Sequence, residues 1–133
     1  MDQVIEKLTS PPILAYTDYT LPFILHTDAS NAGLRAVLYQ KQGSIDRVIA
    51  YARRSLRGAE RLYPAHKREF LAFKWAVTDR FHEYLYDSKF EVKTDNNPLT
   101  YIFDKAKLDA VGHIWVASLS NYDFNLTNRA GKV

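Results

Sequence analysis

The sequence predicts an α/β domain in which helices pack on a five-stranded mixed sheet. Three observations lead to that class. Apolar runs with strand character recur three times at short spacing between residues 21 and 55. A long segment of helical period then fills residues 62–85, and strand-like and helical runs alternate after it. A chain of 133 residues, 47% hydrophobic and 14% aromatic, has material for one buried core but not two, which excludes a disordered chain.

The elements follow in order. Val4, Ile5 and Leu8 share one side of a short helix over residues 2–9, which Pro11 and Pro12 end. LPFILHT, from Leu21, reads as the first strand, and GLRAVLYQKQ (residues 33–42) as the second, joined by a polar turn around Ser30 and Asn31. After Gly43 and Ser44, IDRVIAYARRS forms the third, so the three make an antiparallel meander. From Leu62 to Leu85 the period changes. Leu62, His66, Phe70, Phe73, Val77, Phe81 and Tyr84 fall within about 100° on a helical wheel, so the segment reads as one long amphipathic helix begun near Pro64. FEVKTDN is a fourth strand, and NPLTYIF opens a short helix with Pro98 in its first turn. Residues 110–121 supply a further helix with Ile114, Ala117 and Leu119 as its apolar positions, and YDFNLTNRAG closes with a fifth strand.

Composition removes several function classes. With no cysteine there is no disulfide framework, thiol nucleophile or zinc–thiolate site, and an intracellular setting, cytoplasmic or nuclear, is the expectation. No apolar stretch approaches the roughly 20 residues a membrane span needs, and the opening MDQVIEKL is mixed in charge, unlike a signal peptide. The net charge of +3 permits contact with a phosphate backbone without demanding it. Its distribution says more, because Arg47, Arg53, Arg54, Arg57, Arg61, Lys67 and Arg68 gather in the middle of the chain. An ordinary solvated face would show the same pattern.

Three acids stand out. Asp28 closes the first strand in TDAS, Glu69 lies on the shoulder of the apolar stripe of the long helix, and Asp95 closes the fourth strand in TDNN. Two neighbouring strand ends and one helix packed across them can bring three carboxylates together. Such a cluster repels itself and is stable mainly when cations occupy it. Hard oxygen ligands suit Mg²⁺ or Mn²⁺, and a pair of such ions suits in-line cleavage of a phosphodiester. A metal-dependent nuclease is therefore the leading reading. For Glu69 alone, a helix-edge glutamate reaching water is an equal alternative.

The strings LHTDASNAGLRAVLYQ, IAYARRSL, LYPAHKREFLAFKWAV, FEVKTDNNPLTYI and LDAVGHIWVASLSNYDFNLTNRAGK, in this order, resemble the ribonuclease H domain of gypsy-type LTR retrotransposon reverse transcriptases, from about Leu8 to Lys132. The resemblance implies a ribonuclease H-like fold, with three antiparallel strands followed by parallel ones. It assigns residues 1–20 to a connection-like N-terminal segment and 21–133 to the domain, lacking its final helix. It also implies that Asp28, Glu69 and Asp95 are catalytic, metal-binding carboxylates. Two Mg²⁺ ions, about 4 Å apart in such sites, would serve cleavage of the RNA strand of an RNA–DNA hybrid during reverse transcription. An adjacent reverse transcriptase polymerase domain or another protein is an implied partner, and no membrane is.

Ser30, Asn31 and Asn97 sit beside the acidic positions and are candidates for bonding 2′-hydroxyl or phosphate groups, with turn chemistry and helix capping as the alternative. Arg53 and Arg54 end the third strand and are candidates for holding backbone phosphates. His66 and His113 lack a metal-ligand spacing, and Tyr63, Trp75 and Trp115 read as core aromatics.

Two departures from the family pattern matter. The family's last helix carries a fourth metal carboxylate, but the sequence given stops at Val133, so weak or no cleavage is the expectation from three. The second is Arg35, where the family commonly has glycine: it is expected to pair with a carboxylate, contact nucleic acid, or obstruct the metal cleft. Together they raise an alternative reading, a catalytically impaired or inactive domesticated module that binds nucleic acid or a protein partner. A further alternative is a structural appendage docking on a polymerase through Val4, Ile5 and Leu8.

Overall fold

The structure, a computed structural model, describes residues 14–94 and 110–128. Strands β1 (Phe23–Ala29), β2 (Gly33–Gln42) and β3 (Ile45–Ser55) form the antiparallel meander, and β4 (Lys89–Thr94) and β5 (Asp123–Asn128) join it in parallel. The sheet order is β3-β2-β1-β4-β5. The ends of β1, β3, β4 and β5 and the start of β2 consequently lie on one edge of the sheet.

The boundaries of β2 and β3 match the sequence expectation, because the turn between them has its own chemistry. Gly43 leads a two-residue turn with φ 71°, a left-handed angle that suits glycine, between the paired residues Gln42 and Ile45. Gly33, at the start of β2, answers a different need. A Cβ there would collide with the carbonyl oxygen of Arg54 on β3.

The long helix is not continuous. Helix α1 (Ala65–Lys74), preceded by Pro64 at its cap, gives way to a π-helical segment over Trp75–Arg80 and then to a short α2 (His82–Leu85). The widening has a local partner: the Thr78 hydroxyl donates to the Lys74 carbonyl at 2.8 Å, and the Phe81 N–H reaches back five residues to Ala76. Leu62, in a separate 3₁₀ turn (Gly58–Leu62) before Pro64, and His66, in the first turn of α1, are exposed although a uniform wheel assigns them to the apolar stripe, whereas Phe70, Phe73, Val77 and Phe81 are buried as expected. Helix α3 (Ala110–Leu119) corrects a second expectation. Its buried positions are Gly112, Trp115 and Leu119, while Ile114 and Ala117 face outward.

Helix α1 lies on β1 and β2, and α3 packs against α1 and the π segment. The main core fills the space between them and the sheet, with Leu25, Leu38, Phe73, Trp75 and Val92 at its centre. Edge-to-face stacking of Phe70 on Trp115 (5.3 Å) and of Phe73 on Phe124 (5.2 Å) joins α1 to α3 and β5. On the opposite face Val37 and Tyr39 form a smaller cluster with Ile24, Val48 and Tyr51. Burial, with Asp46 and Glu91 nearby, pushes the Tyr39 phenol far above its ordinary range.

Gln40, fully buried, ties the segment before β1 to the sheet. Its side-chain amide donates to the carbonyls of Asp18 (2.9 Å) and Leu21 (3.1 Å), and its carbonyl oxygen accepts from the Asp18 N–H (3.0 Å). A buried amide costs stability unless its groups are bonded, and here both ends are engaged.

Candidate active site

β1 and β4 are neighbours in parallel register, with His26 opposite Lys93, so both run toward the same edge. Asp28 is the penultimate residue of β1. Glu69 rides on α1, half-buried, and α1 packs against β1. Asp95, next in the chain after Thr94 of β4, and Asn97 lie outside the described residues, as do the helices expected around Val4 and Pro98. Among the described residues, no three His, Cys, Asp or Glu side chains converge as a metal-holding group, and Asp95 was the third member expected.

Arg35 is the direct cross-strand partner of Asp28, and its Nη2 donates to Asp28 Oδ2 at 2.8 Å. Of the three fates expected for Arg35, pairing with a carboxylate is the one observed. Side-chain exposures of 38% for Arg35 and 29% for Asp28 leave the bridge partly in solvent. Such pairs contribute roughly 0.2–1 kcal/mol, so the contact neutralises Asp28 but is readily exchanged for a stronger cation.

The other candidates divide. Ser30 shapes the turn: its N–H donates to the Gly33 carbonyl (2.9 Å) and its hydroxyl accepts from the Ala32 N–H (3.1 Å), while Asn31 is exposed beside it. Arg54 is held within the fold. Its guanidinium makes a bidentate bridge to Glu60 (2.8 and 3.0 Å) and lies 5.8 Å from the Trp75 ring centroid. The hydrogen bond from Arg54 holds the Glu60 carboxyl below its ordinary value, and the Arg57 N–H, donating to the same carboxylate at 2.8 Å, adds to this. Arg53, by contrast, is exposed. A groove of about 480 Å³ runs past Ser30, Gly33, Arg35, Arg53, Arg54 and Ser55.

Glu60 escaped the sequence reading, since it lies in a short 3₁₀ turn (Gly58–Leu62) with no strong cap signature before it. His66 and His113 are exposed, while Trp75 and Trp115 are core aromatics as expected. Tyr63 is half-buried against Trp115, their rings 6.3 Å apart, with the Lys67 ammonium 4.4 Å from its own ring centroid.

A mixed sheet in the order 3-2-1-4-5, carrying an aspartate near the end of its central strand and a glutamate on the helix packed there, defines a ribonuclease H-like domain. The chain belongs to the RNase H-like domain family found in reverse transcriptase, whose model matches residues 18–122. It is 39% identical over 94% of its length to the retrovirus-related Pol polyprotein from transposon opus of Drosophila melanogaster, and 33% identical over 90% to that from transposon gypsy of the same fly. The chain spans only 12% and 11% of those polyproteins. Among solved structures it is similar to the protease–reverse transcriptase of prototype foamy virus, with TM-score 0.72 and 15% identity over 96% of this chain and 17% of that one. It is also similar to LC11-RNase H1, solved with an RNA/DNA hybrid, with TM-score 0.55 and 12% identity over 80% and 83% of the two chains. These two likenesses bear on the fold.

Proposed function

We propose that this domain is the ribonuclease H module of a gypsy-type retroelement polyprotein, built to cleave the RNA strand of RNA–DNA hybrids with Mg²⁺ or Mn²⁺. The observation that carries the reading is Asp28 near the end of β1, on the edge toward which β4 runs, with α1, the helix that carries Glu69, packed on β1. The donor chemistry fits a hard divalent cation, and the Arg35 guanidinium on Asp28 Oδ2 marks this carboxylate as one that draws positive charge. Asp28, Glu69 and Asp95 would hold the ions, which supply charge neutralisation and an activated water for hydrolysis. Arg35 must leave Asp28 for that to occur. Arg53, exposed on β3, is the candidate for holding a backbone phosphate, and Ser30, Asn31 and Asn97 are the candidates for reading 2′-hydroxyls. A reverse transcriptase polymerase domain on the same polyprotein is the expected covalent neighbour.

The test is scission of a labelled hybrid. Slow RNA-strand cleavage that needs Mg²⁺ or Mn²⁺, spares an all-DNA duplex and disappears in Asp28→Asn is the expected result. The Asp28–Arg35 bridge favours one second reading, a catalytically impaired module that binds nucleic acid or a protein partner through the same surface. Hybrid binding without cleavage in both the native protein and Arg35→Gly would establish that alternative.

A further inference from the structure

A second groove, of about 450 Å³, opens along the free edge of the sheet between β3 and the π segment, lined by Arg53, Arg54, Arg57, Trp75, Asp79 and Arg80. Arg53 and Arg54 also line the groove that runs to Arg35, so the two grooves meet at these residues of β3. The charges within the second groove are unevenly answered. Arg54 is neutralised by Glu60 and rests against the indole of Trp75, forming a fixed floor. Asp79 Oδ1 lies 2.9 Å from the Thr78 hydroxyl oxygen and 3.8 Å from the Lys74 ammonium. Arg53, Arg57 and Arg80 are exposed and have no ion pair among the described residues.

Cross-strand pairing sharpens the imbalance. Asp28, Arg35 and Arg53 stand in one row across β1, β2 and β3, and Asp28 answers only Arg35. Like charges directly opposite one another destabilise a sheet unless an anion lies between or above them. A planar guanidinium fork suits phosphate oxygens, and three forks along one groove suit a chain of them.

We propose that Arg53, Arg57 and Arg80 form a track for the phosphate backbone of a duplex nucleic acid, leading away from the Asp28 edge around the β3 side of the sheet. The proposal deepens the nuclease reading by assigning where the substrate continues beyond the acidic edge. It rests on that reading for the polymer's identity, but not for the binding itself.

The experiment measures binding of a labelled RNA–DNA hybrid by fluorescence anisotropy between about 50 and 200 mM KCl, for the native protein and two triple variants. One variant carries Arg53→Gln, Arg57→Gln and Arg80→Gln. The other carries Lys41→Gln, Arg47→Gln and Lys89→Gln, an equal loss of charge at exposed positions toward the opposite edge of the sheet. Circular dichroism checks that both fold.

The track variant should bind about tenfold more weakly, with a log K against log salt slope shallower by about 2–3, and the control should change by less than 1 in slope. Equal loss in both variants, no loss in the track variant, or no hybrid binding by the native protein overturns the proposal. So does polyglutamate competing as well as the hybrid, which would make the track a site for acidic protein. Asp28→Asn separates the two claims: it should fail to cut, while adding the three track substitutions to it should still weaken hybrid binding and flatten the slope. Arginine-dependent binding by a native protein that never cuts leaves the track standing and removes the nuclease reading alone.

Discussion

Replacing Arg35 should tighten divalent metal binding, and the structure sets the size of the effect. Arg35 reaches Asp28 through one nitrogen–oxygen contact of 2.8 Å, with the two side chains 38% and 29% exposed. At that exposure the pair contributes at most about 1 kcal/mol, and this is what a metal must displace to reach Asp28. Removing the competition predicts an affinity gain of up to about fivefold for Mg²⁺. Arg35→Gln removes the charge and keeps a side chain in the strand. Arg35→Gly removes the side chain altogether but costs roughly 0.5–1 kcal/mol in stability for a glycine within β2. Calorimetric titration of Mg²⁺ into the native protein and both variants measures the effect. Unchanged or weaker affinity in both variants would refute the idea that Arg35 competes with metal for Asp28.

Three further outcomes test the fold that holds the site. Gln40→Leu should lower the unfolding free energy in urea by about 2–3 kcal/mol, because it strips the amide bonds that tie Asp18 and Leu21 to β2. A loss under roughly 0.5 kcal/mol would mean the tie is idle. Glu60→Gln should flatten the acid limb of the stability curve. The folded carboxyl lies below its ordinary 4.5, so the native state binds fewer protons than the unfolded one between the two values. Its stabilisation is complete above 4.5 and fades as pH falls through the folded value, which denaturation midpoints from neutral pH downward would follow. Gly33→Ala should force β2 and β3 apart at Arg54, seen as altered amide chemical shifts at the ends of both strands, whereas a silent spectrum there would contradict the close approach.

Much of this could be read from the chain because two signals rarely conflict in it. Alternation flanked by Gly43–Ser44 fixed β2 and β3 to the residue, and the strand-closing position of Asp28 was visible from TDAS. What escaped was geometry that a periodic pattern does not encode. A helical wheel assumes one unbroken helix of constant pitch, so it could not anticipate the π segment where the Thr78 hydroxyl takes the Lys74 carbonyl, nor that Leu62 would lie in a 3₁₀ turn before the helix, 86% exposed. In α3 apolar character points to Ile114, Ala117 and Leu119, but only Leu119 of these is buried, and the inward face also takes Gly112 and Trp115. Gln40 reads as an ordinary polar strand residue until its partners twenty residues upstream are known. Arg53 and Arg54, adjacent and chemically alike in sequence, take different surroundings because neighbours on a strand point to opposite faces.

The sharing of a cation by Asp28, Glu69 and Asp95 is tested most directly by Mn²⁺ binding, followed through water-proton relaxation in the native protein and in Asp28→Asn, Glu69→Gln and Asp95→Asn. All three substitutions should weaken binding while leaving the fold intact by circular dichroism. If any one of them binds Mn²⁺ as the native protein does, the three carboxylates do not form one metal site.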